Sequence, residues 1–221
     1  MSERVSAALA GGFYIIGLIA GLLSVVSVID LPDYLTQISA QASQVVSGAF
    51  FQFLMMIAYV GMALALYPVL KKYNEPLAVG YVGSRLVAAG LMVIGVLLIL
   101  LLFRLSQSFI LAGMPASSSF QVIGEVLREA RDLVNHAGTI SVLSVGSLLL
   151  SCILFQSQLV PKWLSVWGMG GAAIAIVASC LFLTQVISLN TSAYLDLPLA
   201  VQEIVFAGWL IFKGFNLNSL K

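Results

Sequence analysis

The sequence predicts an all-α, polytopic membrane protein: about six transmembrane helices and one extracytoplasmic amphipathic helix. Three observations carry that prediction. Of 221 residues, 61% are hydrophobic and only 9% are charged, against about 25% charged residues in ordinary soluble domains. Mean hydropathy is +1.07. The apolar residues fall in runs long enough to cross a bilayer, which takes about 20 residues each, and charged or proline-containing turns separate the runs. The prediction covers residues 1–221 as a single transmembrane domain.

Span one is expected over about 5–29. Its apolar run is too long for a secretory h-region of about 7–15 residues, so a retained span is expected. Gly17 and Gly21 have the small-xxx-small spacing that lets a neighbouring helix approach closely. Asp30, Pro32 and Asp33 close it. Span two covers about 45–70, and Lys71-Lys72-Tyr73-Asn74-Glu75-Pro76 makes a tight turn because Pro76 cannot continue the preceding helix. Span three runs over about 77–103 and contains Arg85.

The one long connection, 104–135, looks helical in its second half, about 118–134. Phe120, Ile123, Val126, Leu127, Ala130 and Leu133 recur at helical spacing, and Ser118 with Gln121 makes a capping box. Such a helix lies in the interface or caps a bundle. Span four covers about 136–156 and is led by His136, the only histidine. Span five, about 163–187, is rich in Gly and Ala and is expected to pack tightly. Span six covers about 197–212, with Asp196 as its N-cap and Pro198 just inside.

Lys and Arg bias sets the orientation. With the N-terminus inside, Arg4, Lys71, Lys72, Lys162, Lys213 and Lys221 are cytoplasmic; only Arg104, Arg128 and Arg131 are outside. Both termini are therefore expected in the cytoplasm. A net charge of +1 with no basic stripe gives no reason to expect nucleic acid as a partner. Cys152 and Cys180 differ in expected depth by roughly ten residues, about 15 Å, so no disulfide between them is expected.

Charges inside the spans carry the functional signal. A charge near the bilayer centre costs about 2.5–3.5 kcal/mol on insertion scales and faces a partner or a polar cavity. Arg85 lies roughly 12 Å in from the cytoplasmic end of span three, and Glu203 roughly 15 Å in from the same side of span six. The depths agree within the reach of an arginine, so the two can pair. Ser144, Ser147 and Ser151 fall within about 80° of His136 on the helical wheel of span four. Two accounts fit them: serines that help helices pack, or a polar pocket with His136 at its mouth and Glu203 and Arg85 deeper. Gln52, Tyr59, Tyr67 and Tyr81 add hydrogen-bonding groups.

No metal site and no cofactor are expected. One histidine and two separated cysteines cannot build a multi-histidine zinc site or a bis-histidine haem. No lysine sits at mid-span for a Schiff base. Neither a G-x-S-x-G elbow nor an H-E-x-x-H helix occurs.

Several stretches together carry a resemblance: Gly12-Phe13-Tyr14; Ala65-Leu66-Tyr67-Pro68-Val69-Leu70; Gly83-Ser84-Arg85-Leu86-Val87; His136; the run from Leu159 through Pro161-Lys162-Trp163 to Gly168; and Glu203 with Trp209-Leu210 and Lys213-Gly214. In this order the chain resembles the bacterial membrane-protein family catalogued as domain of unknown function four-three-eight-six, over about residues 4–214. The resemblance implies a six-span bundle with an arginine early in span three, a histidine leading span four and a glutamate in span six. It implies no activity.

Three functions remain open. The first is an inner-membrane protein that binds or passes a small or lipid-like ligand through a pocket holding Arg85, Glu203 and His136, with Ser144, Ser147, Ser151 and Tyr81 around it. The second is an intramembrane enzyme acting on lipid, with His136 or Glu203 as base. The third is a structural bundle that an Arg85–Glu203 pair merely holds in register. Partners beyond the lipid bilayer, and the oligomeric state, are not readable from the residues.

Overall fold

The computed structural model describes residues 2–115 and 119–216. Among the described residues eight α-helices form: α1 (Glu3–Leu23), α2 (Tyr34–Ala40), α3 (Ala42–Leu70), α4 (Glu75–Leu111), α5 (Ser119–Asp132), α6 (Ile140–Ser157), α7 (Lys162–Leu183) and α8 (Leu189–Phe212). A π-helical turn, Leu133–Thr139, joins α5 to α6. Six helices among the described residues are long and apolar enough to cross a membrane, counting α5, the π-turn and α6 as one. The chain is an all-α polytopic bundle. Ser118, the first residue of the expected capping box, lies outside the described residues.

The helices close a ring. α1 packs on α3, α3 on α4, α4 on α6, α6 on α7, α7 on α8, and α8 returns to α1. Small residues set these contacts. On α1, a Cβ added at Gly17 would lie 3.2 Å from the Tyr59 ring, and one at Gly21 would lie 3.1 Å from the Met55 sulfur, so the glycines admit α3. Ala172, Ala175, Ala178 and Ser179 are buried along α7. Outward-facing side chains such as Leu22, Phe50, Ile57, Leu101 and Val177 are apolar and exposed, as lipid-facing positions must be.

Two apolar clusters fill the ends of the bundle. One gathers Ala7, Leu66, Leu70, Ile153, Leu164 and Leu210; the other gathers Ile29, Leu35, Ile38, Ile99 and Phe109. The first end is fastened by charge. Lys72 Nζ lies 2.8 Å from Glu3 Oε1, and Arg4 donates to the carbonyls of Ile211 (2.9 Å) and Phe212 (3.2 Å). A cation there complements the negative end of α8 and satisfies its orphan carbonyls.

Several boundaries differ from those the sequence predicts. Span one stops at Leu23, not near residue 29, because the Ser24 hydroxyl turns back to the Gly21 carbonyl (2.7 Å). The segment after it contains a 3₁₀ turn, Ser27–Asp30, where the end of span one was expected, and then α2; it buries Val28, Ile29, Tyr34, Leu35 and Ile38 at the second end. α4 continues eight residues beyond the expected end of span three, to Leu111. The largest change is at α8. Ser188 caps it by accepting from Thr191 N (3.3 Å), so the helix begins eight residues before the expected start, and Asp196 is an interior residue, not a cap. Pro198 therefore also sits inside the helix, where it cannot donate to the Tyr194 carbonyl.

Candidate functional site

The site lies within the ring, between the two apolar clusters. Arg85 leaves α4 and is 2% exposed, the largest fully buried side chain described. Its Nη2 donates to Ser147 Oγ on α6 at 3.0 Å. That hydroxyl donates in turn to Glu203 Oε1 on α8 at 2.9 Å, and Arg85 Nη2 lies 3.9 Å from the same carboxylate oxygen. Tyr81 and Tyr59 flank the guanidinium, with its carbon 5.4 and 5.5 Å from their ring centroids. Such contacts stabilise a desolvated cation by about 2 kcal/mol each.

Local sequence explains why these groups meet. A Cβ added at Gly146 would clash with the Ser84 side chain of α4, so the glycine lets α6 approach α4 closely there. Its neighbour Ser147 is thereby brought within reach of the guanidinium. Ser84 does not join the network; its hydroxyl donates to the Tyr81 carbonyl at 2.7 Å.

The two charged residues face different surroundings. The Glu203 side chain is 20% exposed against 2% for Arg85. That exposure opens onto a cavity of about 160 Å³ between α1, α3, α6, α7 and α8, whose polar lining is Tyr14, Tyr59, Ser144, Asp196 and Glu203. Arg85 is not on its wall. It stands behind Ser147 and orients Glu203.

The remaining residues singled out by sequence divide. Ser144 is fully buried and lines the cavity. Tyr81 is fully buried against Arg85, and its hydroxyl has no hydrogen bond of good geometry. Ser151 sits against Gly168 of α7, beside Gln202, where it serves the α6–α7–α8 packing. Tyr67 is remote from the site, under Lys71 at 5.4 Å.

His136 does not join the cluster. It lies half-buried in the π-turn and lines a second cavity of about 430 Å³ with Asp30, Gln52, Arg131 and Asn135. Ser147 follows it by eleven residues, about 16 Å at helical rise. The two cavities share Tyr59, Ile140 and Leu143 as a common wall. An acid and base acting on one atom must both come within hydrogen-bond reach of it; His136 and Glu203 line separate cavities. The π-turn itself is held by a bond from Gln52 Nε2 to Asn135 Oδ1 (3.4 Å). Arg131 lies 3.0 Å from Asp132 and 3.8 Å from Asp30.

Asp196 is the residue that sequence reasoning misplaced. It lies two helical turns before Glu203 and lines the same cavity. The i, i+7 spacing of two acids in an otherwise apolar segment was the available signal. Among the described residues no cluster of three or more His, Cys, Asp and Glu could hold a metal ion, and Cys152 and Cys180 are both free thiols.

Residues 9–214 match the family described as Domain of unknown function (DUF4386), and the chain belongs to that family. No curated protein and no solved structure matches it.

Proposed function

We propose that this member of the DUF4386 family binds a small or lipid-like ligand in the polar cavity at Glu203, in the cytoplasmic membrane of a bacterium, with both termini cytoplasmic. One observation carries the reading: the Glu203 carboxylate keeps one side open to a cavity while Ser147 and Arg85 hold its other side. A pair retained only to fix helix register would be closed on both sides. Arg85 then acts as the counter-ion to that carboxylate within the bundle. His136 lines the neighbouring cavity towards the outer side, separated from Glu203 by Tyr59, Ile140 and Leu143, and those three side chains are the gate between the two.

Native mass spectrometry of the full-length protein tests this. The wild type is expected to carry a co-purifying adduct that Glu203→Leu loses while remaining folded. A wild type without adduct, or an adduct retained by Glu203→Leu, would contradict the reading.

The complete burial of Arg85 favours one rival, in which the charge pair only stabilises packing. On that account Glu203→Leu changes the melting temperature and leaves the adduct spectrum unchanged.

A further inference from the structure

Asp196 and Glu203 project from one face of α8 and line one cavity. The wall of that cavity contains no lysine, arginine or histidine. Arg85, behind Ser147, offsets the charge of Glu203 and reaches no other acid. Asp196 Oδ1 is buried with no hydrogen-bond partner.

Two further polar side chains face this space. Tyr14 on α1 is 2% exposed and Ser144 on α6 is 0% exposed. Both residues line the same cavity; the Tyr14 hydroxyl turns to the Glu203 carboxylate, whereas the Ser144 hydroxyl is buried without a hydrogen-bond partner. Buried polar groups in folded proteins are nearly always hydrogen-bonded, so Ser144 and Asp196, both unpartnered around a single void, need an explanation. The two hydroxyls come from helices other than the one that carries the acids.

The rest of the lining selects among occupants. Leu18, Ile140, Leu143 and Leu199 supply apolar surface, and Tyr14 and Tyr59 supply rings that meet 6.2 Å apart at 76°. Ring faces attract cations, and quaternary ammonium groups are the usual beneficiaries. A hard metal cation takes about six to eight oxygen ligands, more than this half-apolar wall provides. An anion would meet two carboxylates.

We infer that the cavity is a site for a small organic ammonium group, held between Asp196 and Glu203 against the Tyr14 and Tyr59 rings. This rests on the ligand-binding reading above and adds the chemical class of the ligand. Asp196 is the main charge partner, because Glu203 is already engaged by Ser147 and Arg85. The group is either a free amine or the amine headgroup of a lipid.

The test titrates the full-length protein in detergent with ethylammonium, tetramethylammonium, acetate and phosphate, following the melting temperature. The two ammonium ions are expected to raise it and the two anions to leave it unchanged. Asp196→Asn should weaken the ammonium response about tenfold, Ser144→Ala less, and Glu75→Gln at the exposed start of α4 not at all. Reconstitution in ethanolamine-headgroup vesicles separates the two sources: loss of the ethylammonium response there, but not in glycerol-headgroup vesicles, marks a lipid amine. A response to acetate or phosphate instead, an ammonium response undiminished in Asp196→Asn, or no response to any probe would overturn the ammonium assignment. The co-purification measurement judges the ligand-binding reading separately, so failure of the ammonium assignment is distinguishable from failure of that reading.

Discussion

Arg85 and Glu203 reach each other through a single hydroxyl: Ser147 Oγ accepts from the guanidinium at 3.0 Å and donates to the carboxylate at 2.9 Å. The charges themselves stand 3.9 Å apart, so the bridging serine fixes the geometry. Three helices, α4, α6 and α8, are tied at one atom. Removing one partner of a buried, hydrogen-bonded charge pair is expensive because the other is left desolvated, about 3–5 kcal/mol.

Ser147→Ala therefore costs about 1–3 kcal/mol, the penalty for orphaning buried polar groups. Ser147→Thr keeps the hydroxyl and recovers most of it. Melting temperatures in detergent decide this; equal losses in the two variants would show that the hydroxyl is not the link.

Glycines separate by what they face. A Cβ at Gly171 would meet the backbone of Leu199, with Cα at 3.0 Å and N at 3.1 Å, whereas one at Gly170 would meet nothing within 4 Å. Gly171→Ala pushes α8 away from α7 and loses about 1–3 kcal/mol. Gly170→Ala gains up to about 1 kcal/mol from helix propensity. The same melting assay checks the pair, and matching effects would contradict the contact.

Stability falls at alkaline pH through groups outside the spans. The pKa of Tyr34 is raised above its usual 10.0 by burial, with Arg128 opposing the shift, and that of Tyr73 is raised by burial and by Glu3. Lys72 is raised above 10.5 by its hydrogen bond to Glu3 and by that residue's charge. A folded-state pKa above the unfolded one contributes stability that is complete below the unfolded value and lost as pH rises through the folded value. Unfolding midpoints should thus decline above about pH 10. Tyr34→Phe should decline less steeply there; an identical slope would remove Tyr34 from the account.

Topology follows from the two ends of α3. Gln41 and Lys71 are both exposed and cap opposite ends of that helix. In intact cells an impermeant maleimide is expected to label Gln41→Cys and not Lys71→Cys, in a background lacking Cys152 and Cys180. The reverse pattern would invert the orientation.

The architecture was legible in the sequence because apolar run length and charged turns decide where a chain crosses a bilayer. Depth was legible too: residue counting brings Arg85 and Glu203 to a common level, since helical rise is constant. Direction around the helix axis was not. Counting alone does not say that Glu203 faces a cavity while Arg85 is sealed behind Ser147, because that depends on which neighbours close the ring. Asp196 was misread for a local reason. An acid two residues before a proline has the pattern of a helix start, but Ser188 provides an earlier cap and α8 tolerates Pro198 in its interior. The helical wheel groups His136 with Ser144, Ser147 and Ser151, and the pocket account joins it to Glu203 through them. The π-turn at Leu133–Thr139 changes the angular register there, and its placement in a separate cavity was not readable from regular helical periodicity.

The central claim is that Glu203 faces open space within the bundle, and accessibility tests it most directly. With Cys152 and Cys180 replaced by serine, Glu203→Cys and Leu210→Cys are each treated with an aminoethyl methanethiosulfonate in membranes. Leu210 lies two turns further along α8 and is 0% exposed. Modification of Glu203→Cys at least about tenfold faster than Leu210→Cys is the expected result, by analogy with charge-selective access to a water-reachable cavity. Equal, negligible rates at both positions would mean that the carboxylate is sealed and that the Arg85–Ser147–Glu203 network only holds the helices together.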